Sequence, residues 1–278
     1  MTPEVFSIVL VAALMHATWN AVIKGAADRT VTFGLVSIGH TLPALAAVPF
    51  LPLPDPEMIP YIIASTIIHW GYYYLLNMSY RFGDLSLVYP IARGSTPLLV
   101  AIPAFLFLGE ELSASGWAGL LMVSAGIMIL SLRPSRTGRP LLAVALALGT
   151  ALTIAAYSLV DGLGVRISEK TFSYIAWLFV AEGLIVIFIF STRMERLRAL
   201  SRTQMVTGLA GGALSAFAYA LALYAKTLAP LGMVSALRET SVIFAAMIGL
   251  FWFGEGPARP RLIAAVIVAA GIFLLSLS

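Results

Sequence analysis

Long apolar stretches separated by short polar connections run along the whole chain of 278 residues. Each stretch reaches the roughly 18 residues that an α-helix needs to cross the hydrocarbon core of a bilayer. Strands of about ten residues with alternating polarity, which are typical of membrane β-barrels, do not occur. The pattern therefore predicts an all-α polytopic membrane protein with ten transmembrane helices. The predicted spans are 3–24, 30–51, 58–80, 84–108, 114–132, 140–162, 171–191, 205–225, 230–252 and 260–277.

The composition excludes several other classes of protein. Hydrophobic residues make up 60% of the chain and charged residues 11%, whereas a soluble domain carries roughly 25% charged residues. The chain has no cysteine, so a disulfide, a thiolate metal site and a cysteine nucleophile are all excluded. There is no HExxH motif and no convincing Ser/His or paired-carboxylate arrangement, so we expect neither an enzyme nor a cofactor.

The basic residues are distributed unevenly between the connections. Those after spans one, three, five, seven and nine hold twelve Lys and Arg residues, and the others hold three. Because positive charge accumulates in cytoplasmic loops, we expect the connections with twelve basic residues to lie in the cytoplasm. The protein would then be a multi-pass protein of the cell (inner) membrane. Since the basic residues serve the topology, we expect no nucleic-acid partner. The twelve are Lys24, Arg29, Arg81, Arg133, Arg136, Arg139, Arg193, Arg196, Arg198, Arg202, Arg259 and Arg261, and the three are Arg166, Lys170 and Lys226.

Two segments of the chain repeat each other. The stretch ARGSTPLLVAIPAFLFLGE at 92–110 aligns with LRETSVIFAAMIGLFWFGE at 237–255, so that Arg93 matches Arg238 and the closing Gly-Glu pairs coincide. At the same offset Gly126 matches Gly271. Each unit then contains five spans, and an odd number means that the second unit enters the membrane from the opposite side. We therefore predict two inverted five-helix repeats, at 1–137 and 138–278.

This arrangement, in which each fourth helix ends in LGE or FGE before a helix with a glycine, resembles the EamA-type transporters of the drug/metabolite transporter superfamily. The resemblance covers essentially the whole chain. It implies ten helices around a central cavity, with helices five and ten packed against each other or at the periphery. Such proteins export amino acids and other metabolites, and relatives carry nucleotide sugars, sugar phosphates or small cations, so the resemblance leaves the cargo open.

Both arginines of the repeat lie deep in the predicted spans. With a rise of about 1.5 Å per residue, Arg93 is about 14 Å from its end of span four, and Arg238 is about 12 Å into span nine. A charge at this depth costs several kcal/mol in lipid, so we expect both side chains to face a polar cavity between the repeats. The guanidinium groups either bind an anionic part of the cargo or serve as counter-ions for Glu239, Glu182 or helix carbonyls.

Further polar residues fall on single helix faces at these depths. Glu182 is a candidate proton-coupling site or partner for a cargo amine, and it is also a candidate salt-bridge partner of Arg238. Glu110 and Glu255 lie at helix ends, where we expect them to cap loops or gate the interfaces. The three histidines favour proton relay or hydrogen bonding to cargo over a metal site. The candidate substrate-binding residues are Arg93, Arg238, Glu182, Tyr157, Asn77, Tyr73, His69, Trp19, Asn20, Tyr89, Glu239 and Tyr219.

The leading hypothesis is a secondary transporter that exports or exchanges a small amphoteric or anionic metabolite, such as an amino acid or organic acid, by alternating access. Arg93 and Arg238 would hold the anionic group, and Glu182 with Tyr157 and Asn77 would meet an amine. Protons are the candidate coupling ion, and the protein is expected to act as a monomer or homodimer. The alternatives are an exporter of lipophilic or quaternary-ammonium cations and a lipid-headgroup flippase.

Overall fold

A computed structural model describes residues 2–23, 29–83, 85–131, 140–167, 169–251 and 258–278. Within these ranges the chain forms α-helices and three short 3-10 segments, and no strand. The α-helices are α1 Pro3–Ile23, α2 Arg29–Ala47, α3 Ile59–Phe82, α4 Leu85–Leu108, α5 Ala114–Met128, α6 Pro140–Gly164, α7 Thr171–Glu182, α8 Leu184–Arg198, α9 Arg202–Leu228, α10 Leu231–Arg238, α11 Ser241–Phe251 and α12 Ala258–Ser276. Lys24, Arg133, Arg136, Arg139 and the Gly254-Glu255 motif lie outside the described residues.

The described helices confirm a multi-pass membrane architecture. Seven helical segments are long and apolar enough to cross a membrane, and they include α7 with α8 and α10 with α11 as continuous pieces. Counted in this way, the described helices form ten rods at the positions of the ten predicted spans. Of the rods outside the seven, α5 has only 15 residues.

Two predicted spans are broken near their middles, which the apolar pattern did not predict. The seventh is interrupted at Gly183, between α7 and α8, and the ninth at Glu239 and Thr240, between α10 and α11. At the second break the amide of Thr240 donates to the carbonyl of Leu237, a tighter turn than that of an α-helix. The breaks therefore redirect side chains at mid-membrane depth without leaving a long segment unwound.

Contacts at one end of the bundle show that α4 and α6 end there and that α10 begins there. Arg166, just after α6, pairs with Glu110, just after α4, through Nη1 and Oε1 at 2.7 Å. The other oxygen of Glu110 accepts the backbone N–H of Leu231 at 2.7 Å, which caps the start of α10. The α2–α3 and α6–α7 connections meet in an ion pair between Asp55 and Lys170. We call this the Glu110 end, and the other, where Arg81, Arg198 and Arg202 lie, the basic end.

Close helix contacts depend on glycine at two places. A Cβ atom on Gly119 of α5 would lie 2.6 Å from the carbonyl oxygen of Gly271 in α12, so these helices pack almost backbone to backbone. Gly212 of α9 packs in the same way against Gly39 and Val36 of α2. The fifth and tenth predicted spans therefore contact each other, which is one of the two arrangements that the resemblance implied. The central side chains lie among α1, α2, α3, α4, α6, α7, α9 and α10.

Candidate functional site

Arg93 of α4 forms an ion pair with Glu239 at the break between α10 and α11. Its Nε lies 2.7 Å from Oε2 of Glu239, and the two residues are only 5% and 1% exposed. His16 of α1 also approaches the guanidinium, with its Nε2 3.4 Å from Nη2. The ring of Tyr89 lies beneath it, at 6.0 Å from the centroid. Of the two interpretations of Arg93, this geometry supports the counter-ion.

Arg238 has a different environment, although it matches Arg93 in the repeat. Its guanidinium carbon lies 4.8 Å from the ring centroid of Tyr219, which is a cation–π contact, and it interacts with the hydroxyl of Tyr157. Among the described residues, no carboxylate oxygen lies within 4.0 Å of its nitrogens. The residue is 8% exposed. Arg238 is therefore a buried cation stabilised by aromatic rings rather than by an ion pair.

Glu182 lies between two histidines and not, as one interpretation of the sequence had it, against Arg238. This last residue of α7 has Oε1 3.3 Å from Nδ1 of His69 in α3 and Oε2 3.7 Å from Nδ1 of His40 in α2. It is 4% exposed. Both α2 and α3 pack against α7, and each brings an imidazole to this carboxylate.

Aromatic rings connect the two opposite charges. The imidazole of His69 stacks on Tyr157 of α6 with a centroid distance of 4.0 Å, and Tyr219 of α9 lies 6.0 Å from both rings. Because Tyr219 also lies against Arg238, the sequence of contacts from Glu182 through His69 and the two tyrosines to Arg238 is continuous. The structure therefore brings together residues from α3, α6, α7, α9 and α10.

Other predicted residues lie at the border of this cluster or apart from it. Tyr73 and Asn77 line a cavity of about 480 Å³ between α2, α3 and α8, and Asn77 is exposed. Asn77 is therefore separated from Tyr157 and Glu182, with which the sequence grouped it, because the polar face of α3 leaves the bundle centre toward the basic end. Near His16, Trp19 donates to its Nδ1 at 3.3 Å and Asn20 to its backbone oxygen at 2.7 Å.

The expected open chamber around the arginines is not among the cavities described in this structure. Neither the cavity beside Asn77 nor a second one of about 440 Å³ between α4, α5 and α6 includes Arg93 or Arg238 in its lining. The central side chains are instead packed against each other and almost fully buried. Many of their polar groups contact other protein groups. Two hydroxyls at the break between α10 and α11, Thr240 Oγ1 and Ser241 Oγ, are buried without a hydrogen-bond partner among the described residues.

Comparison with known proteins identifies the family. The family description "EamA-like transporter family" matches residues 5–132 and, a second time, residues 141–277. The chain belongs to the EamA-like transporter family. It is thus a membrane transporter of the drug/metabolite transporter superfamily, and members of this family are transporters and not enzymes.

The fold of this EamA protein is also found among solved structures. One that carries only the description "Crystal structure of protein" aligns with a TM-score of 0.76 over 100% of this chain and 98% of its own, at 17% sequence identity. At this identity the likeness shows the fold alone. No curated protein matches the sequence.

Two buried ionisable residues of the EamA protein escaped the sequence-based candidate set. Asp161 of α6 is fully buried and accepts hydrogen bonds from the hydroxyls of Tyr174 and Tyr219. Lys226 was counted with the loop residues, but α9 continues to Leu228, and the ammonium group is buried and donates to the carbonyl of Ser158 at 2.8 Å. The polar stripe of span six, which contained Asp161, was a signal for the first. No pattern distinguished Lys226 from a loop lysine.

Proposed function

We propose that this EamA protein is a secondary active transporter that moves a small amphoteric or anionic metabolite, such as an amino acid or organic acid, by alternating access. The observation that carries the proposal is the pair of opposite buried charges. Among the described residues, Arg238 has no carboxylate and Glu182 has no Lys or Arg within 4.0 Å. Tyr157, Tyr219 and His69 connect them.

Each part of the cluster has a chemical counterpart in an amphoteric cargo. The planar guanidinium of Arg238 suits a carboxylate, to which it can donate two parallel hydrogen bonds. Glu182 attracts an ammonium group, and the aromatic rings provide an apolar wall for the body of the cargo. Arg93 has a separate role in this proposal, because Glu239 already neutralises it. The two arginines are thus used differently, one for cargo and one to join α4 to α10.

The mechanism follows from the repeat. The family description matches the chain twice. At the Glu110 end, α1 begins and α6 ends, so the first helices of the two repeats run in opposite directions. Both observations support two inverted five-helix repeats, at 1–137 and 138–278, whose rocking exposes the central cluster to each side in turn. Three further points complete the proposal. The resemblance supports export, and the charges of the connections support a cytoplasmic basic end. The buried carboxylate of Glu182 supports protons as the coupling ion.

A second candidate function has one observation in its favour. The cavity of about 480 Å³ between α2, α3 and α8 is lined by Trp70, Tyr74 and Phe188, which are 39%, 67% and 70% exposed. Because these side chains lie on the outer surface of the bundle, the cavity is open toward lipid. A lipophilic cation that entered there would reach aromatic rings first and the carboxylate of Glu182 beyond them. This geometry suits export of lipophilic or quaternary-ammonium cations.

A thermal-shift screen of the purified protein against amino acids, organic acids, phosphorylated metabolites and quaternary amines tests the proposal. A ligand at about one hundred times its Kd stabilises the folded state by about 2.7 kcal/mol. We expect an amphoteric or anionic compound to raise the Tm of the wild type and of Arg202→Gln, a matched substitution at the exposed basic end. Arg238→Gln should abolish the shift.

The same screen separates the two functions. If quaternary amines raise the Tm, and the effect disappears in Glu182→Gln but persists in Arg238→Gln, the cation exporter is correct and the anion site is wrong. If Arg238→Gln binds the amphoteric or anionic compound as the wild type does, the role of Arg238 is refuted.

A further inference from the structure

Within the part of the chain that the structure describes, the ion-pair partners of the Glu182 carboxylate are two histidines, which are titratable. Its two oxygens lie 3.3 Å and 3.7 Å from the Nδ1 atoms of His69 and His40. The three residues come from three helices, and none is more than 7% exposed. His69 Nδ1 is also 2.9 Å from the backbone oxygen of Ser65 and 3.1 Å from the hydroxyl of the same residue. The carboxylate and the two imidazoles thus lie at ion-pair distances, and a proton that enters the cluster can reside on any of the three.

The other two buried carboxylates of the described spans have fixed partners. Glu239 lies 2.7 Å from the permanently charged guanidinium of Arg93. Asp161 accepts hydrogen bonds from two tyrosine hydroxyls, one on each oxygen. Among the described residues, no imidazole nitrogen lies within 4.0 Å of an oxygen of either carboxylate. Glu182 differs because an imidazole changes its own charge near neutral pH.

Among the described residues, no permanent charge lies directly against this cluster. Phe179 packs on the ring of His40, with centroids 5.4 Å apart, and Tyr157 stacks on His69. Arg238 lies beyond Tyr157 and Tyr219 rather than at the carboxylate. The titratable side chains that face the cluster from the surrounding helices are Tyr73 from α3, Tyr157 from α6, Tyr174 from α7 and Tyr219 from α9. The net charge of the cluster therefore depends on how many protons the two imidazoles and the carboxylate hold.

The cluster lies next to a route toward the basic end. The cavity of about 480 Å³ is lined by Ser37, three residues before His40, by Tyr73, four residues after His69, and by Leu184, two residues after Glu182. Tyr73 and Ser37 form the border between cavity and cluster, and their side chains interact. A cavity of this size has room for several waters, each of which occupies about 30 Å³ in the liquid. Its wall is mostly apolar, and the polar side chains on it include those of Thr30, Ser37, Tyr73 and Asn77.

We propose that His40, Glu182 and His69 form one proton-binding site that exchanges protons with the basic end through this cavity. The proton that binds comes from water, resides on the carboxylate or on one of the imidazoles, and returns to water when it leaves. A role of this site in coupling protons to transport rests on the transport function proposed above. The proton-binding site itself does not require that function to be correct.

Reaction with dicyclohexylcarbodiimide tests the site in wild-type proteoliposomes, because this apolar reagent adds to protonated carboxyl groups. Mass spectrometry of digests after treatment between pH of about 5 and 9 should show the adduct on Glu182, with labelling at least about tenfold lower at the upper pH. Glu239 and Asp161 serve as internal controls and should stay unlabelled throughout. His69→Asn and His40→Asn should extend the labelling to higher pH, whereas His16→Asn, beside Arg93, should not.

The outcomes separate this inference from the proposed function. Absent labelling of Glu182, or labelling that does not change with pH, overturns the proton site even if amphoteric compounds still raise the Tm. Labelling that depends on pH, combined with no stabilising compound in the whole screen, supports the proton site and removes the proposed cargo. Equal labelling of Glu239 at every pH would also overturn the inference, because it would show that the histidines confer nothing.

Discussion

The ion pair between Arg93 and Glu239 joins the two predicted repeats, and its removal should have an asymmetric effect. At an effective dielectric constant of about 20, two unit charges 2.7 Å apart attract each other by about 6 kcal/mol. Desolvation of the two ions offsets most of this, but loss of one partner leaves a buried charge, which costs about 3–5 kcal/mol. For a chain of this size we expect the Tm to fall by about 6–20 °C.

Glu239→Gln should be the more destabilising single substitution. It leaves Arg93 and Arg238 as two buried cations with no carboxylate between them, whereas Arg93→Met leaves Glu239 in the field of Arg238. The double variant, Arg93→Met with Glu239→Gln, removes both charges and should recover most of the loss. Glu195→Gln, on the exposed end of α8, is the matched control.

Thermal unfolding of these four variants and the wild type in one detergent measures the cycle. The reasoning is refuted if the single substitutions lower the Tm no more than Glu195→Gln does. It is also refuted if the double variant loses more stability than the two single variants together, because the two residues would then not stabilise each other.

Two further predictions concern the Glu110 end and the helix interfaces. Arg166→Gln should raise the hydrogen-exchange rate at the start of α10 about tenfold, because Glu110, which caps the amide of Leu231, loses its partner; an unchanged rate contradicts this. Gly119→Ala should lower the Tm, since its Cβ would lie 2.6 Å from the backbone of α12, whereas Gly71→Ala, with nothing within 4 Å, should raise the stability by about 0.5–1 kcal/mol. Equal effects of the two alanines would show that α5 and α12 separate easily.

The amino-acid pattern predicts the helices better than the contacts between them. Apolar length alone locates the ten rods to within about four residues, since lipid requires a closed hydrogen-bonded helix at each span. The exception is the seventh, where α8 continues to Arg198, beyond the predicted end at 191. Hydropathy also assigned Lys226 to a loop, because a lysine lowers the average in any window. In the structure its ammonium group is buried against the carbonyl of Ser158. A scale based on single residues does not detect a partner 68 positions away.

The partners of the central charges depend on tertiary packing. Glu239 follows Arg238 directly and points about 100° away from it around the helix. The two side chains therefore face different neighbours, and the approach of α4 brings Arg93 to Glu239. Likewise, His40 and His69 reach Glu182 because α2 and α3 both pack on α7, and no spacing along the chain encodes that meeting.

The distribution of buried charge explains why we assign different roles to two arginines that the repeat makes equivalent. Among the described residues, the buried side chains with formal charge are Arg93, Asp161, Glu182, Lys226, Arg238 and Glu239, three cations and three anions. Arg93 and Glu239 neutralise each other directly, and Asp161 is satisfied by hydroxyl groups with Lys226 nearby. Arg238 and Glu182 remain as two opposite charges separated by aromatic rings. A molecule with both charges can neutralise each of them at once, and an anion can do so only if Glu182 takes up a proton. Charge balance therefore favours a zwitterion, or an anion that moves with a proton, over an anion alone.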